Sequence, residues 1–266
     1  MSESVGIEVH KRVADVRLNR SDKHNALDET MFAAILDVGA RLSEDRSIRA
    51  VVLSGEGPSF CAGLDLDGFA EMAGDVALED RLFGKSRSPN GANRAQQLAM
   101  LWRDLPMPVI AAVHGAAFGA GLQIALGCDL RIVALDARLS FMEVRWGLVP
   151  DMGGIAMVRN LVRDDVAREL IWSGREVPGE EAAKIGLATV ATHDPKSEAI
   201  AWARRFAAHS PSAVRAGKRL MNRAQDASMA QILEQETVEQ IALIGGDDQK
   251  EAVAANFSKR APRFLD

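Results

Sequence analysis

Two glycine-rich stretches carry the clearest chemical signal in this chain: FCAGLDLDGF at 60–69 and HGAAFGAGLQ at 114–123. Each follows a short apolar run that predicts a strand, at 50–54 and at 109–113, and each leads into a predicted helix. Small residues at such a junction let a ligand approach the backbone closely, because no Cβ stands in the way. The free N–H groups of a helix start attract negative charge. Two such sites in one domain could hold one oxyanion, as acyl-transfer or enolate chemistry requires.

The chain around these stretches alternates between predicted strands and helices. Residues 5–20 alternate in polarity and predict a hairpin that buries Val13, Val16 and Leu18. Asp28 predicts the start of a helix whose apolar residues recur at helical spacing: Met31, Ile35, Val38 and Leu42. Further helices are expected at 94–104 and 122–128, and a strand at 130–134. The short links between them indicate an α/β fold with largely parallel strands.

The remaining segments predict a loop and a helical C-terminal part. Residues 70–93 end in a Ser-Pro-Asn-Gly turn and predict a mobile loop or lid, and the pattern is mostly helical from about residue 155. The helix expected at 228–244 has more apolar surface than a lone terminal helix needs: Met229, Ile232, Leu233, Ile241, Leu243 and Ile244. That surface is either an intramolecular core face or a site of subunit association.

Composition limits the classes of function. The 266 residues suffice for one large domain, and the net charge of −5 gives no general attraction to nucleic acid or anionic membranes. Cys61 and Cys128 lack metal-type spacing, which favours buried thiols in a reducing compartment. No secretory signal and no run long enough to span a bilayer is evident, so a cytoplasmic location is expected. Tyrosine is absent, which excludes a tyrosine acid or base.

The second glycine-rich stretch also invites a dinucleotide-binding interpretation. Its glycines are spaced as Gly115-x-x-x-Gly119-x-Gly121, whereas the dinucleotide fingerprint requires G-x-G-x-x-G. The helix that follows has only about two turns, too few for a normal crossover between parallel strands. No Gly-Lys-Ser/Thr follows either stretch, which disfavours a triphosphate-binding loop.

Taken together, the motifs resemble those of the crotonase, or enoyl-CoA hydratase/isomerase, superfamily. The resemblance extends over nearly the whole chain in six ordered blocks: LNRSDKHNAL (18–27), FCAGLDL (60–66), PVIAAVHGAAFGAGLQIALGCDLRI (108–132), ARLSFMEVRWGLVPDMGG (137–154), SGREVPGEEAAKIGLA (173–188) and NFSKRAPRF (256–264). It implies a spiral of ββα units over residues 1–200 that holds a CoA-thioester site. Residues 201–266 would form a helical region that assembles a homo-trimer or homo-hexamer.

The resemblance also assigns binding residues. The backbone N–H groups of Leu64 and Ala120 would form the oxyanion hole. The CoA and acyl groups would lie against residues of both glycine-rich stretches and of the early turn: Lys23, Ala26, Ala62, Asp65, Leu66 and Gly119. Phe257 and Lys259 match terminal residues that often complete the nucleotide site of a neighbouring subunit. Coenzyme A is part of the substrate, so neither a separate cofactor nor a metal is expected.

The same comparison selects the candidate catalytic side chains. Hydratases of this family use two glutamates to hold and split a water, and the matching positions here are Gln123 and Glu143. A neutral amide cannot exchange a proton near pH 7, although it can hold a water. Asp151 follows Glu143 by eight residues, as in dienoyl-CoA isomerases of the superfamily. We therefore expect isomerisation of an enoyl- or dienoyl-CoA in fatty-acid metabolism.

Two other functions remain open on the sequence alone. One is enoyl-CoA hydration, with Gln123 and Glu143 positioning the water. The other is a CoA-ester-binding protein without catalysis. Single residues also have structural alternatives: Asp151 could cap the following helix, and His24 and His114 are expected to be structural. Arg145 and Trp146 could pair with Glu143 or line the acyl pocket.

Overall fold

The computed structural model describes residues 4–65, 87–88 and 90–265. The strands of the main sheet are β1 (Val5–His10), β2 (Val13–Leu18), β3 (Ala50–Gly55), β4 (Val109–Val113), β6 (Leu130–Ala134) and β9 (Val190–Thr192). A smaller sheet contains β5 (Ala116–Phe118), β7 (Arg138–Ser140) and β8 (Val177–Pro178). The main sheet has the order β1-β2-β3-β4-β6-β9. Only β1 and β2 pair antiparallel in it, so the predicted α/β fold with largely parallel strands is confirmed.

The helices of the described residues follow in chain order: α1 (Glu29–Glu44), α2 (Arg94–Asp104), α3 (Ala120–Gly127), α4 (Gly154–Val158), α5 (Asp164–Ser173), α6 (Gly179–Ile185), α7 (Pro195–Ala207), α8 (Pro211–Ala224), α9 (Met229–Leu243) and α10 (Asp247–Phe257). Short 3-10 turns lie at Ser21–Lys23 and Glu143–Trp146. No helix in the described ranges has the length and apolarity needed to cross a bilayer.

The local predictions for the N-terminal half are confirmed. Residues 5–20 form the β1–β2 hairpin, and Val13, Val16 and Leu18 are buried. The Asp28 carboxylate accepts a hydrogen bond of 2.8 Å from the Met31 N–H and caps α1. Helix α2 spans the predicted 94–104.

One helix begins earlier than its sequence pattern indicates. We expected a helix at 122–128, whereas α3 starts at Ala120. Gly119 adopts φ 49° and ψ −118°, a conformation that a side chain would disfavour, and this turn carries the chain directly from β5 into the helix. The apolar pattern begins only at Leu122 and so misses the first two residues, whereas the expectation that Ala120 lies at a helix start is confirmed.

The main sheet is buried on both faces. On one face its apolar residues join the large core that includes Leu53, Val113 and Leu122. On the other face α7 packs closely, because its inward side chains are the small residues Ala199, Ala203 and Ala207. Both glycine-rich stretches therefore follow strands that are fixed by packing on two sides, which gives their backbones a defined position.

Two predictions concern less regular parts of the chain. Most of the predicted 70–93 loop lies outside the described residues, so its conformation stays a prediction.

Helix α9 matches the predicted 228–244, but it has no buried residue. Met229, Leu233, Ile241 and Ile244 are 54–71% exposed, so the intramolecular alternative is wrong for these four side chains.

Candidate active site

The first predicted oxyanion donor lies in a short backbone bridge to the end of the early turn. Leu27 N–H donates to the Gly63 carbonyl at 2.8 Å, and Asp65 N–H donates to the Leu27 carbonyl at 3.0 Å. These bonds use the groups on either side of Leu64. The Leu64 N–H therefore faces away from Leu27, and it donates to none of the described residues.

The same stretch is hydrogen-bonded on its other side to β5. Cys61 N–H donates to the Ala116 carbonyl at 3.0 Å, and Phe118 N–H donates to the Cys61 carbonyl at 3.1 Å. A Cβ placed on Gly63 would lie 2.8 Å from the Phe118 carbonyl oxygen and 3.8 Å from Ala120 N. The Gly63–Leu64 peptide is thus adjacent to the second predicted donor, as the sequence analysis requires.

The second donor is the first N–H of α3. Ala120 opens the helix, so its N–H has no partner within α3, and it donates to no other described residue. Gly121 allows the helix start to touch the first glycine-rich stretch, because a Cβ there would lie 2.2 Å from the Cys61 carbonyl oxygen. Two backbone N–H groups without a partner among the described residues thus lie at neighbouring positions, as an oxyanion hole would require, and their role stays a prediction.

Glu143 lies beside this pair of donors. It begins the 3-10 turn after β7 and is only 9% exposed. A Cβ on Gly119 would lie 3.3 Å from Glu143 Oε1, which places the carboxylate next to the α3 start. Oε1 accepts a 2.7 Å hydrogen bond from Gln123 Nε2, whereas the buried Oε2 has no partner among the described residues.

Burial raises the pKa of Glu143 above its usual value, and the negative charge of Asp151 raises it further. The hydrogen bond from Gln123 acts in the opposite direction. A carboxylate whose pKa is shifted toward neutrality is suited both to take up and to return a proton. The unpaired Oε2 is the atom available for that exchange.

The side-chain amide of Gln123 is fixed by three hydrogen bonds within the protein. It is buried on α3, and its Oε1 accepts hydrogen bonds from Met152 N–H at 2.8 Å and Gly154 N–H at 2.9 Å. Its Nε2 donates to Glu143. Gln123 therefore fixes Glu143 and the segment that follows Asp151 in one rigid arrangement.

Asp151 lies close enough for its charge to act on Glu143, but its side chain is exposed in the single chain. Partial desolvation raises the pKa of Asp151 as well. Helix α4 begins at Gly154 after Gly153 and has no side-chain cap, so the helix-cap alternative for Asp151 is wrong. Its role in proton transfer stays a prediction.

Three predicted CoA-binding residues come together at one edge of this site. Ala62 N–H donates to the His24 carbonyl at 2.9 Å, and Ala26 N–H donates to the Lys23 carbonyl at 3.0 Å. Lys23 is exposed and Ala26 and Ala62 are half-buried, so a ligand can reach all three. Leu66 lies outside the described residues.

Asp65 has a partner that the sequence analysis did not identify. Arg20 Nη1 donates to Asp65 Oδ2 at 2.5 Å and to the Ala26 carbonyl at 3.1 Å. The only available signal was the position of Arg20 in the LNRSDKHNAL block. Binding of substrate by Asp65 stays a prediction.

Phe257 and Lys259 lie apart from this site at the end of α10. Phe257 is 87% exposed, and Lys259 follows the helix with a φ of 50°. Nothing in a single chain tests their predicted contribution to a neighbouring subunit, which stays a prediction.

The other candidates have structural contacts. His24 Nδ1 lies 3.0 Å from Ser59 Oγ, and His114 Nε2 lies 2.9 Å from the Gly57 carbonyl, as expected for structural histidines. Arg145 forms no ion pair with Glu143, so the alternative that Arg145 pairs with this carboxylate is wrong. Trp146 is 54% exposed.

Both cysteines are buried, as predicted. Burial raises the pKa of Cys61 to about 12, so its thiol is not reactive near neutral pH. No group of three or more histidine, cysteine or acidic residues in the described part of the chain is arranged to hold a metal ion.

Comparison with known proteins shows the family. The sequence profile of the enoyl-CoA hydratase/isomerase family matches residues 8–266. The Mycobacterium tuberculosis protein named "Probable enoyl-CoA hydratase echA6" is 33% identical over 261 residues, covering 98% of each chain. The human protein named "Enoyl-CoA hydratase domain-containing protein 2, mitochondrial" is 33% identical over 95% of this chain and 85% of its own.

A solved structure confirms the expected fold. The crystal structure of the Bacillus anthracis enoyl-CoA hydratase superposes with a TM-score of 0.88 at 28% identity, covering 98% of each chain. The crotonase-like α/β architecture is therefore confirmed, while oligomerisation through residues 201–266 stays a prediction. The chain belongs to the enoyl-CoA hydratase/isomerase family.

Proposed function

We propose that this enzyme moves a double bond in an enoyl- or dienoyl-CoA through an enolate held by the Leu64 and Ala120 N–H groups. The observation that carries the proposal is the state of Gln123. Its amide oxygen already accepts two backbone hydrogen bonds, and its nitrogen donates to Glu143. Gln123 therefore has no proton to exchange and no free oxygen for a water, which leaves Glu143 as the proton carrier.

The reaction needs no water. Glu143 removes a proton from the α-carbon of a 3-enoyl thioester, and the electron pair moves into the thioester carbonyl. Each oxyanion donor contributes about 3–4 kcal/mol of transition-state stabilisation in comparable sites. The protonated Glu143 then returns its proton to the γ-carbon, so that the double bond lies between the α- and β-carbons. Atoms and charge balance, because the same proton is removed and restored.

Asp151 would extend this chemistry to a conjugated diene. Its charge reaches Glu143, and its raised pKa makes it competent to exchange a proton. With one carboxylate at each end of the acyl chain, a proton can be removed at one carbon and returned at a more distant one.

Family membership supports a CoA thioester as the substrate, and the exposed surface of α9 supports an oligomeric assembly. A CoA thioester would lie with its nucleotide against Lys23, Ala26 and Ala62, and Phe257 and Lys259 of a neighbouring subunit would complete that site. The exposed apolar residues of α9 favour a homo-trimer or a homo-hexamer. Action on CoA esters in the cytoplasm belongs to the same proposal.

Hydration of a 2-enoyl-CoA is the second candidate. Two observations favour it: the relatives compared above are named as enoyl-CoA hydratases, and Glu143 Oε2 is an unpaired acceptor that a water could occupy. Against hydration stands Gln123, which occupies the position of one of the two hydratase glutamates. A positioned acid or base contributes roughly 10²–10⁴-fold to a rate.

Turnover in water enriched in heavy oxygen separates the two reactions. Mass spectrometry should show that 3-enoyl-CoA becomes 2-enoyl-CoA without uptake of the label. Glu143→Gln should lower kcat roughly 10²–10⁴-fold. Gln123→Glu is the matched variant, since it preserves the shape and adds a carboxylate, and we expect it to increase hydration of 2-enoyl-CoA.

The opposite results decide against the proposal. Labelled 3-hydroxyacyl-CoA formed by the wild-type enzyme faster than the isomer would establish hydration. CoA-ester binding without any turnover across enoyl isomers would establish the non-catalytic alternative.

A further inference from the structure

The Arg20 side chain contacts three parts of the chain: the early turn at Ala26, the N-cap of α1 at Asp28, and the first glycine-rich stretch at Asp65. Its Nη1 donates to Asp65 Oδ2 at 2.5 Å and to the Ala26 carbonyl at 3.1 Å, and its Nε lies 3.3 Å from Asp28 Oδ2. The Arg20 side chain is 23% exposed and that of Asp65 only 12%. The Coulomb attraction between groups shielded from water in this way is stronger than that of a surface ion pair.

These contacts act on the backbone next to Leu64. Asp65 directly follows the oxyanion donor, and its N–H is bonded to the Leu27 carbonyl. The bridge to Leu27 decides which way the Leu64 N–H points. Because Arg20 holds the Asp65 side chain, it fixes the residue that directly follows this donor.

Charge gives a second reason for the pairing. An enolate oxygen at the Leu64 N–H would develop its negative charge one residue away from the Asp65 carboxylate. An uncompensated carboxylate there would oppose the oxyanion, since like charges repel and the Asp65 side chain, only 12% exposed, is little screened by water. The guanidinium of Arg20 offsets part of that charge, since it also lies 3.3 Å from Asp28 Oδ2.

We propose that Arg20 is a positioning residue of the oxyanion hole: its pairing with Asp65 holds the backbone next to the Leu64 N–H and offsets part of the Asp65 charge near the developing oxyanion. The proposal rests on the enolate function proposed above. It assigns no contact between Arg20 and the substrate.

Four variants test this role by kinetics. Arg20→Met should lower kcat about 10- to 100-fold, less than the roughly 10²–10³-fold that loss of an oxyanion donor costs, with a smaller change in KM. Arg20→Lys keeps the positive charge but loses the planar guanidinium, whose separate N–H groups contact several partners at once. It should therefore recover part of kcat. Asp65→Asn alone should lower kcat less than Arg20→Met does, because its neutral amide oxygen still accepts from Arg20 but more weakly than a carboxylate. Arg20→Met/Asp65→Asn should be faster than Arg20→Met, because the unpaired charge is gone.

The carbonyl stretch of a bound, isotope-labelled saturated acyl-CoA reports the oxyanion hole without turnover. Wild type should lower its infrared frequency, and Arg20→Met should lower it less. Arg168→Met is the control, because Arg168 pairs with Asp164 at the exposed surface of α5. Melting temperatures distinguish a positioning effect from loss of folding.

Several results would overturn the role of Arg20. One is wild-type kcat and carbonyl frequency in Arg20→Met; another is a double variant no faster than Arg20→Met. Should Arg20→Met fail to fold, Arg20→Gln takes its place, since it removes the charge but keeps a polar side chain; unchanged kcat and carbonyl frequency in Arg20→Gln overturn the role equally. If the wild-type enzyme itself causes no carbonyl shift, the proposed enolate function is contradicted. Failure of that function can therefore be told apart from failure of the role of Arg20.

Discussion

Glu143 combines a buried position with two unequal carboxylate oxygens. Oε1 is held by Gln123, whereas Oε2 has no partner among the described residues. A buried acceptor without a hydrogen bond costs roughly 1–3 kcal/mol, and such a cost is typical of functional sites. The asymmetry means that Gln123 orients the carboxylate without blocking the atom that exchanges the proton.

The pH profile tests the electrostatics of this residue. Glu143 acts as a base only when it is deprotonated, so its raised pKa places the acid limb of kcat/KM above the ordinary glutamate range. Asp151→Asn removes one of the charges that raise the pKa of Glu143, so the limb should move to lower pH.

Initial rates across pH measure this shift, with Asp165→Asn at the exposed surface as a control that should leave the limb in place. An acid limb that stays unmoved in Asp151→Asn would contradict the assigned coupling. A large fall of kcat at every pH would assign proton transfer to Asp151 in addition.

The start of α3 is the element that brings the two oxyanion donors together. It can touch the first glycine-rich stretch only because Gly121 has no side chain: a Cβ there would lie 2.2 Å from the Cys61 carbonyl oxygen. Backbone on both sides of that contact belongs to the site. A change at Gly121 must therefore move one donor relative to the other.

Gly121→Ala should consequently lower both stability and catalysis. Overpacking of this kind costs about 1–3 kcal/mol, measured as the free energy of unfolding in denaturant, and kcat should fall with it. Gly217→Ala on α8 is the matched control, because a Cβ there meets no atom within 4 Å. That control should gain about 0.5–1 kcal/mol and keep its kcat. Full activity in Gly121→Ala would argue against a hole built on this contact.

At the scale of the whole molecule, the helical C-terminal region is anchored to the core yet leaves an apolar surface open. Lys218 on α8 is buried, and its Nζ donates to the carbonyls of Trp102 and Met107 and to Asp129 Oδ2. Helix α9 packs along α8 and exposes Leu233 and Ile241. A fixed helix with an uncovered apolar face is typical of a subunit interface.

Ile241→Asp should therefore weaken self-association. Sedimentation velocity should show a trimer or hexamer for the wild type and a smaller species for the variant, with weaker CoA-ester binding if Phe257 and Lys259 act across subunits. Val9→Asp, at another exposed apolar position on β1, is the control and should not change the sedimentation coefficient. A wild-type monomer at all concentrations would refute this prediction.

Sequence alone predicted those features that depend on local pattern. The β1–β2 hairpin, the Asp28 cap and the strands before both glycine-rich stretches each follow from periodicity or from a single capping residue. The Arg20–Asp65 pair and the bonds from Gln123 to Glu143, Met152 and Gly154 could not be predicted, because they join segments far apart in the chain. The apolar pattern alone began α3 two residues late, because Ala120 and Gly121 are small.

The central claim is that the Leu64 and Ala120 N–H groups share one thioester oxygen beside Glu143. A crystal structure of the Glu143→Gln variant with 3-enoyl-CoA tests it most directly, since the variant should bind substrate without consuming it. We predict a thioester oxygen about 2.7–3.1 Å from both nitrogens, with the α-carbon facing position 143. A thioester oxygen that meets only one of these nitrogens, or neither, would contradict the account.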